Sequence, residues 1–143
     1  MTTITAELAD GYAVAIRSSE GHTWAADEPV GVGGTDTAPN PYELLLGSLA
    51  ACTSITVSMY AQRKGWSFEG IEVSYEHARI HADDCADCDD RHAGYLDQVI
   101  SHVTIYGDLD DEQRTRLAQV AANCPVHKTL ERGMHLVDEV VFA

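Results

Sequence analysis

Four cysteines carry most of the chemistry this sequence can offer, and they fall in three settings. Cys52 lies inside an uncharged run, LAACTSIT. Free cysteine is among the most buried residue types and is usually inert, and Cys52 is too far from the start of its own helix to gain from that helix's dipole. Cys124 stands immediately before Pro125. A thiol at a helix N-terminus has its thiolate stabilised, and His127 follows three residues later. Without that helix, Cys124 is a buried junction residue. A Cys-His hydrolase would need an orienting third group and an oxyanion hole, and neither is legible. Cys85-x-x-Cys88 sits in an acidic loop, DDCADCDDRHAG. Its spacing fits half of a zinc site, which His77, His81 and His92 could complete. It fits a redox pair equally, or an exposed loop whose thiols do nothing essential. The five aspartates among residues 83–90 do not match a calcium loop.

The elements that must hold these residues are readable from pattern. Residues 2–8, 12–17 and 22–26 alternate as three short strands, separated by turns at Asp10-Gly11 and Glu20-Gly21. Residues 29–40 form a loop rich in Gly, Pro, Thr and Asn. Asn40 reads as an N-cap with Pro41 at the first helical position. No charge occurs from Leu44 to Gln62, Arg63 and Lys64 suit a helix C-terminus, and Gly65 is a stop. The spacing predicts one helix over 41–64, about 36 Å long at 1.5 Å per residue. Its apolar and small residues occur all round, the pattern of a helix buried on most sides. A membrane span is the rival, but Ser48, Thr53, Ser54, Thr56, Ser58 and Gln62 dilute it. Two or three strands are expected over 67–81 and 96–106, and a helix over 111–123 capped by Asp110. A short helix over 125–132 should end at Gly133, and a last strand is expected over 134–142. The order βββ-α-βββ-αα-β argues for an α+β fold with segregated antiparallel sheets in a single domain, residues 1–143. One three-stranded sheet cannot cover a long apolar helix on every side, so packing predicts a homodimer.

Composition excludes several classes. The chain has 143 residues, with nine basic against 23 acidic side chains and a net charge of −14. That size supports one domain with a real core. A nucleic-acid binder needs a basic patch, and nine basic residues scattered along an acidic chain predict no nucleic-acid partner. The same repulsion argues against anionic membranes. Residues 1–25 alternate instead of combining a basic start with an apolar run, which predicts a cytoplasmic protein. Four cysteines are too few for a disulfide scaffold. GVGGT fails the dinucleotide pattern, no phosphate-cradling loop occurs, and GSLAA lacks the second glycine of a nucleophile elbow.

The run Asn40-Pro41-Tyr42-Glu43-Leu44-Leu45-Leu46-Gly47-Ser48-Leu49-Ala50-Ala51-Cys52 resembles the NPxELLxxxxAAC helix of the OsmC/Ohr family. Cys124-Pro125-Val126-His127-Lys128-Thr129-Leu130 resembles its second signature, CPVxxxL. The likeness is greatest to the OsmC-like branch with a DCxxC loop. The resemblance implies an intertwined homodimer with two long helices enclosed by sheets, and a cytoplasmic, cofactor-free thiol peroxidase. Cys52 would attack an organic hydroperoxide and become a sulfenic acid. Cys124 would condense with it to a disulfide, and a dithiol, often lipoyl, would reduce that disulfide. In the founding enzymes a glutamate directly follows the helix-starting proline and pairs with an arginine that activates the thiol. Here Tyr42 holds that position, Glu43 is the nearest carboxylate and turned by about 100°, and Arg17 is the matching arginine. Ten residues separate position 42 from Cys52, about 15 Å of helix, so the pair could reach Cys52 only from a partner chain or through a bend. The alternatives are a redox or metal-binding protein using Cys85 and Cys88, and a binder of small ligands in an apolar dimer pocket.

Overall fold

The structure is a computed structural model that describes residues 1–8, 10–86, 88 and 94–142. The chain forms two compact units, Met1–Ser48 and Leu49–Ala143.

In the first unit, β1 (Ile4–Glu7), β2 (Val14–Ser18) and β3 (Thr23–Ala26) form the expected antiparallel meander in the order β1-β2-β3. Ile16 pairs with Ala6 on one side and with Trp24 on the other. Gly11 and Gly21 turn the chain at φ of +62° and +90°, values that L side chains rarely adopt. After β3, Asp27 organises the loop that leads to the helix. Its buried carboxylate accepts hydrogen bonds from the backbone N–H and hydroxyl of both Thr35 and Thr37, and from the Glu28 N–H. The loop folds so tightly that a Cβ on Gly34 would meet the Glu28 carbonyl.

The long helix α1 spans Pro41–Lys64, the range expected from sequence, and continues from the first unit into the second. Its start is fixed by reciprocal bonds. The Asn40 side chain accepts from the Glu43 N–H at 2.9 Å, and the Glu43 carboxylate accepts from the Asn40 N–H at 2.7 Å. That is a capping box. Arg63 and Lys64 close the last turn, and Gly65 ends it at φ +67°.

In the second unit, β4 (Gly70–His81) and β5 (Tyr95–Tyr106) form one long antiparallel hairpin, paired from Gly70↔Tyr106 to His81↔Tyr95. Two helices follow. A capping box of Asp110 and Gln113 starts α2 (Asp111–Ala121), and Cys124 and Pro125 start α3 (Pro125–Arg132), which Gly133 closes. Val57 and Ala61 of α1, Leu117 and Ala121 of α2, and Leu109 form the core, against Ile71, Val103 and Ile105 of the hairpin.

Residues 67–81 and 96–106 yield two strands, within the two or three expected. One expectation is corrected: residues 134–142 form no strand. A strand needs a neighbour for its backbone groups, and none pairs with this segment, so Met134, Leu136, Val137, Val140, Val141 and Phe142 stand exposed. Within the single chain, α1 is buried along one stripe, Leu49, Thr53, Val57 and Ala61, while Ile55 and Met59 are 57% and 66% exposed. By length and composition α1 could also cross a membrane, the only such helix among the described residues.

The Asp27 bonds form to the charged carboxylate. The Thr35 hydroxyl leads, with the Glu28 and Thr37 amides, in holding its pKa well below the ordinary 3.8. A lowered folded-state pKa adds stability above the unfolded value, and that stability is lost as pH falls below it. Asp27→Asn is expected to lower the melting temperature at pH 7, and the gap to the parent should narrow as pH drops below about 4. Thermal melts from pH 7 to pH 2 read this directly.

Candidate functional site

Both free thiols meet at the first turn of α3. Cys124 is its N-cap, and the Cys124 Sγ accepts from the His127 N–H at 3.4 Å. The Cys52 Sγ, on α1, accepts from the Val126 N–H, also at 3.4 Å. The sulfurs therefore sit on successive amides of one helical turn. The first N–H groups of a helix have no partner within it and point outward, with the positive end of the dipole behind them. Pro125 has no N–H to offer, so Val126 and His127 are the first two donors. The sequence argument that Cys52 lies too far from a helix start holds for its own helix. The donor comes from another.

The two thiols differ in access. Cys124 is fully buried, while Cys52 is partly exposed. The Thr53 hydroxyl donates to the Cys124 Sγ at 3.4 Å and lies 2.9 Å from the Tyr75 hydroxyl. Thr53 is itself fully buried. With its own proton directed at sulfur, Thr53 accepts from Tyr75, giving a chain from Tyr75 through Thr53 to Cys124. Tyr75 and His127 also border a cavity of about 280 Å³ whose walls include Val103, Ile105, Ala118 and Ala121. A larger hollow, about 810 Å³, lies around Tyr60 and Trp66 and is lined by no cysteine.

Thr53 and Tyr75 were missed in the sequence. A threonine next to a cysteine in an uncharged helix looks like a diluting polar residue. Tyr75 is one of several alternating positions on β4, and only the packing of β4 on α1 selects it.

Arg17 and Glu43 each bond to a partner other than a thiol. Arg17 on β2 pairs with Glu7 at 2.9 Å, and both side chains are mostly exposed. The Glu43 carboxylate is occupied by the Asn40 N–H. Cys85 and Cys88 form a disulfide. Two sulfurs bonded to each other offer no thiolate to a metal, and no group of three potential ligands occurs among the described residues. His77 bonds to Asp97 at 2.8 Å and His81 to Asp83 at 3.2 Å, while His92 lies outside the described residues. The disulfide follows the far end of the hairpin. From Tyr75, beside the thiols, to His81 the strand runs about 20 Å.

A family model described as OsmC-like protein matches residues 34–137. The chain belongs to the OsmC-like family. The match contains both cysteine motifs and every element from α1 to α3. Solved structures agree on the fold. An OsmC-like protein of Mycoplasma pneumoniae is 21% identical with a TM-score of 0.68, covering 92% of this chain and 87% of its own. An organic hydroperoxide resistance protein OsmC of Legionella pneumophila is 21% identical at a TM-score of 0.64, covering 91% and 88%. The organic hydroperoxide resistance protein OhrB of Bacillus subtilis is 22% identical at 0.59, covering 90% and 89%. No curated protein sequence matches. In OsmC-like terms the chain is an α+β protein of antiparallel sheets and a long helix, as expected.

The Tyr75–Thr53–Cys124 chain makes a specific prediction. Thr53→Val keeps the shape but removes the hydroxyl between the Tyr75 hydroxyl and sulfur. It is expected to cost about 1–3 kcal/mol in urea unfolding, with Thr53→Ser recovering most of the loss.

Proposed function

We propose that this OsmC-like protein is a cytoplasmic thiol peroxidase for organic hydroperoxides, with Cys52 as the attacking thiol and Cys124 as the resolving one. The observation that carries this reading is that both sulfurs share the first turn of α3. The Cys52 thiolate attacks the terminal oxygen of ROOH, the O–O bond breaks, and RO⁻ leaves as ROH after taking a proton. Cys52 becomes a sulfenic acid. The Cys124 sulfur then attacks the Cys52 sulfur, and hydroxide leaves as water, taking the Cys124 proton. A dithiol returns the disulfide to two thiols with two electrons and two protons. The N–H groups of Val126 and His127 supply fixed donors to charge at either sulfur throughout. The partial exposure of Cys52 suits the thiol that meets substrate, and the burial of Cys124 suits the one that meets only Cys52. The apolar walls near Tyr75 and His127 suit an alkyl tail.

Arg17 and Glu43 keep their proposed activating role in this scheme, which requires them to exchange Glu7 and Asn40 for each other. The family match, residues 34–137, crosses the boundary of the two compact units and supports one domain. A second copy would cover the exposed face of α1 at Ile55 and Met59 and give residues 134–142 a strand to pair with. We take the working form to be this homodimer, without nucleic acid, membrane or cofactor. Sedimentation is expected to give twice the chain mass, and removing residues 134–143 should shift it toward the single chain.

With cumene hydroperoxide and dihydrolipoamide, turnover is expected to vanish in Cys52→Ser. Cys124→Ser should stop after one peroxide and hold Cys52 as a sulfenic acid, read as a mass gain of one oxygen. Turnover retained in Cys52→Ser excludes the peroxidase. The Cys85–Cys88 disulfide favours a second reading, a dithiol–disulfide exchange protein, in which exchange survives Cys52→Ser and is lost in Cys85→Ser.

A further inference from the structure

Five of the nine basic residues, Arg63, Lys64, Arg116, Lys128 and Arg132, are scattered along the sequence but gather on α1, α2 and α3. Arg63, Lys64 and Arg116 converge on the Tyr60 ring, with their charged groups 5.3, 5.8 and 5.3 Å from its centroid. Arg116 is held there, its Nε donating to the Tyr60 hydroxyl at 2.9 Å and its Nη1 to Gln119 at 3.1 Å. The hydrogen bond from Arg116, with the charges of Lys64 and Arg63, holds the Tyr60 phenol below its usual pKa. From Arg116 a groove of about 470 Å³ runs between α1 and α2 to Lys128, and a second of about 400 Å³ continues from Lys128 to Arg132. They share Asn123 and Lys128, and no carboxylate lines either. The neighbouring hollow, which shares Tyr60 and Arg116 with the first groove, is lined by Asp110, Asp111 and Glu112 as well as Lys64. Arg63, Lys64, Arg116, Lys128 and Arg132 are all exposed, and none pairs with a carboxylate among the described residues. In a chain with 23 acidic side chains, three cations that line the groove, Arg116, Lys128 and Arg132, continue through Arg63 and Lys64 at the Tyr60 ring as a positive strip. Opposite charge on a partner would be steered to it.

The groove's lining adjoins the thiols along the chain. Asn123 and Pro125, which line it, flank Cys124, and Thr56, which also lines it, lies one helical turn after Cys52. We propose that this cationic groove docks the acidic face of a protein that carries the dithiol reductant. The inference rests on the peroxidase reading for what the partner delivers. The partner's thiolate attacks one sulfur of the Cys52–Cys124 disulfide and releases the other as a thiol. The partner's second thiol then breaks the mixed disulfide, leaving two thiols here and one disulfide on the partner. The strongly negative remainder of the surface repels the same partner from wrong orientations.

The test compares dihydrolipoyl-lysine carried on an acidic protein domain with free dihydrolipoamide, using the full chain. Lys128→Glu/Arg132→Glu is expected to raise KM for the domain-borne dithiol about tenfold with kcat unchanged, as should moderate salt. Free dihydrolipoamide should be unaffected by either. Binding of the oxidised acidic domain, titrated separately, should weaken in parallel. Affinity for the domain that ignores both salt and the double variant overturns the proposal. So does a single-stranded oligonucleotide that binds the groove more tightly than the domain, or inorganic phosphate that displaces the domain at millimolar concentration, which would make the strip a nucleic-acid or small-anion site. Absent turnover with either dithiol, alongside salt-sensitive docking lost in the double variant, removes the peroxidase and leaves the docking surface.

Discussion

Everything at the site depends on the first turn of α3 being open at its N-terminus. A helix begins with amide donors that its own carbonyls cannot reach. In most helices a serine, threonine or aspartate oxygen takes them, as Asp110 does for α2. In α3 two sulfurs take them instead, one from the N-cap and one from the middle of another helix. Pro125 sharpens the arrangement, because it fixes the backbone of the first helical position and leaves Val126 as the first amide available. The hairpin, α1 and the core around Leu117 can be understood as what brings Cys52 to that amide.

The contrast between the termini of α1 and α3 separates structure from chemistry. Asn40 and Glu43 satisfy each other and the start of α1 in a closed pair of bonds. Cys124 and Cys52 cap α3 with weak sulfur acceptors. Those bonds lose little if a sulfur changes partner, as the proposed peroxidase chemistry requires of both. Thr53 supports the same end from below, filling the buried side of Cys124 with a hydroxyl already tied to Tyr75.

Charge is distributed by a similar logic. A net charge of −14 repels other anions. Against that background the strip from Arg63 to Arg132 is conspicuous because its cations pair with no carboxylate among the described residues. The cation–aromatic contacts at Tyr60 hold three of them together without neutralising them,.

Much of the fold was legible in local signals. Asn40-Pro41 and Gly65 bounded α1, Asp110 and Cys124-Pro125 started the two later helices, and alternation located β1 to β5. These are short-range effects of capping, proline and side-chain period, so the sequence alone determined them. It also brought the two cysteine motifs into view. It misjudged residues 134–142, whose alternation is real but whose strand requires a neighbour that local pattern does not supply. What only the tertiary structure decided is which groups meet. The Val126 amide reaches Cys52 across 74 positions, Tyr75 reaches Thr53 across 22, and Arg116 reaches Tyr60 across 56. Such contacts leave no trace in spacing, because hydrogen bonds and fields act through space while sequence records only neighbours along the chain.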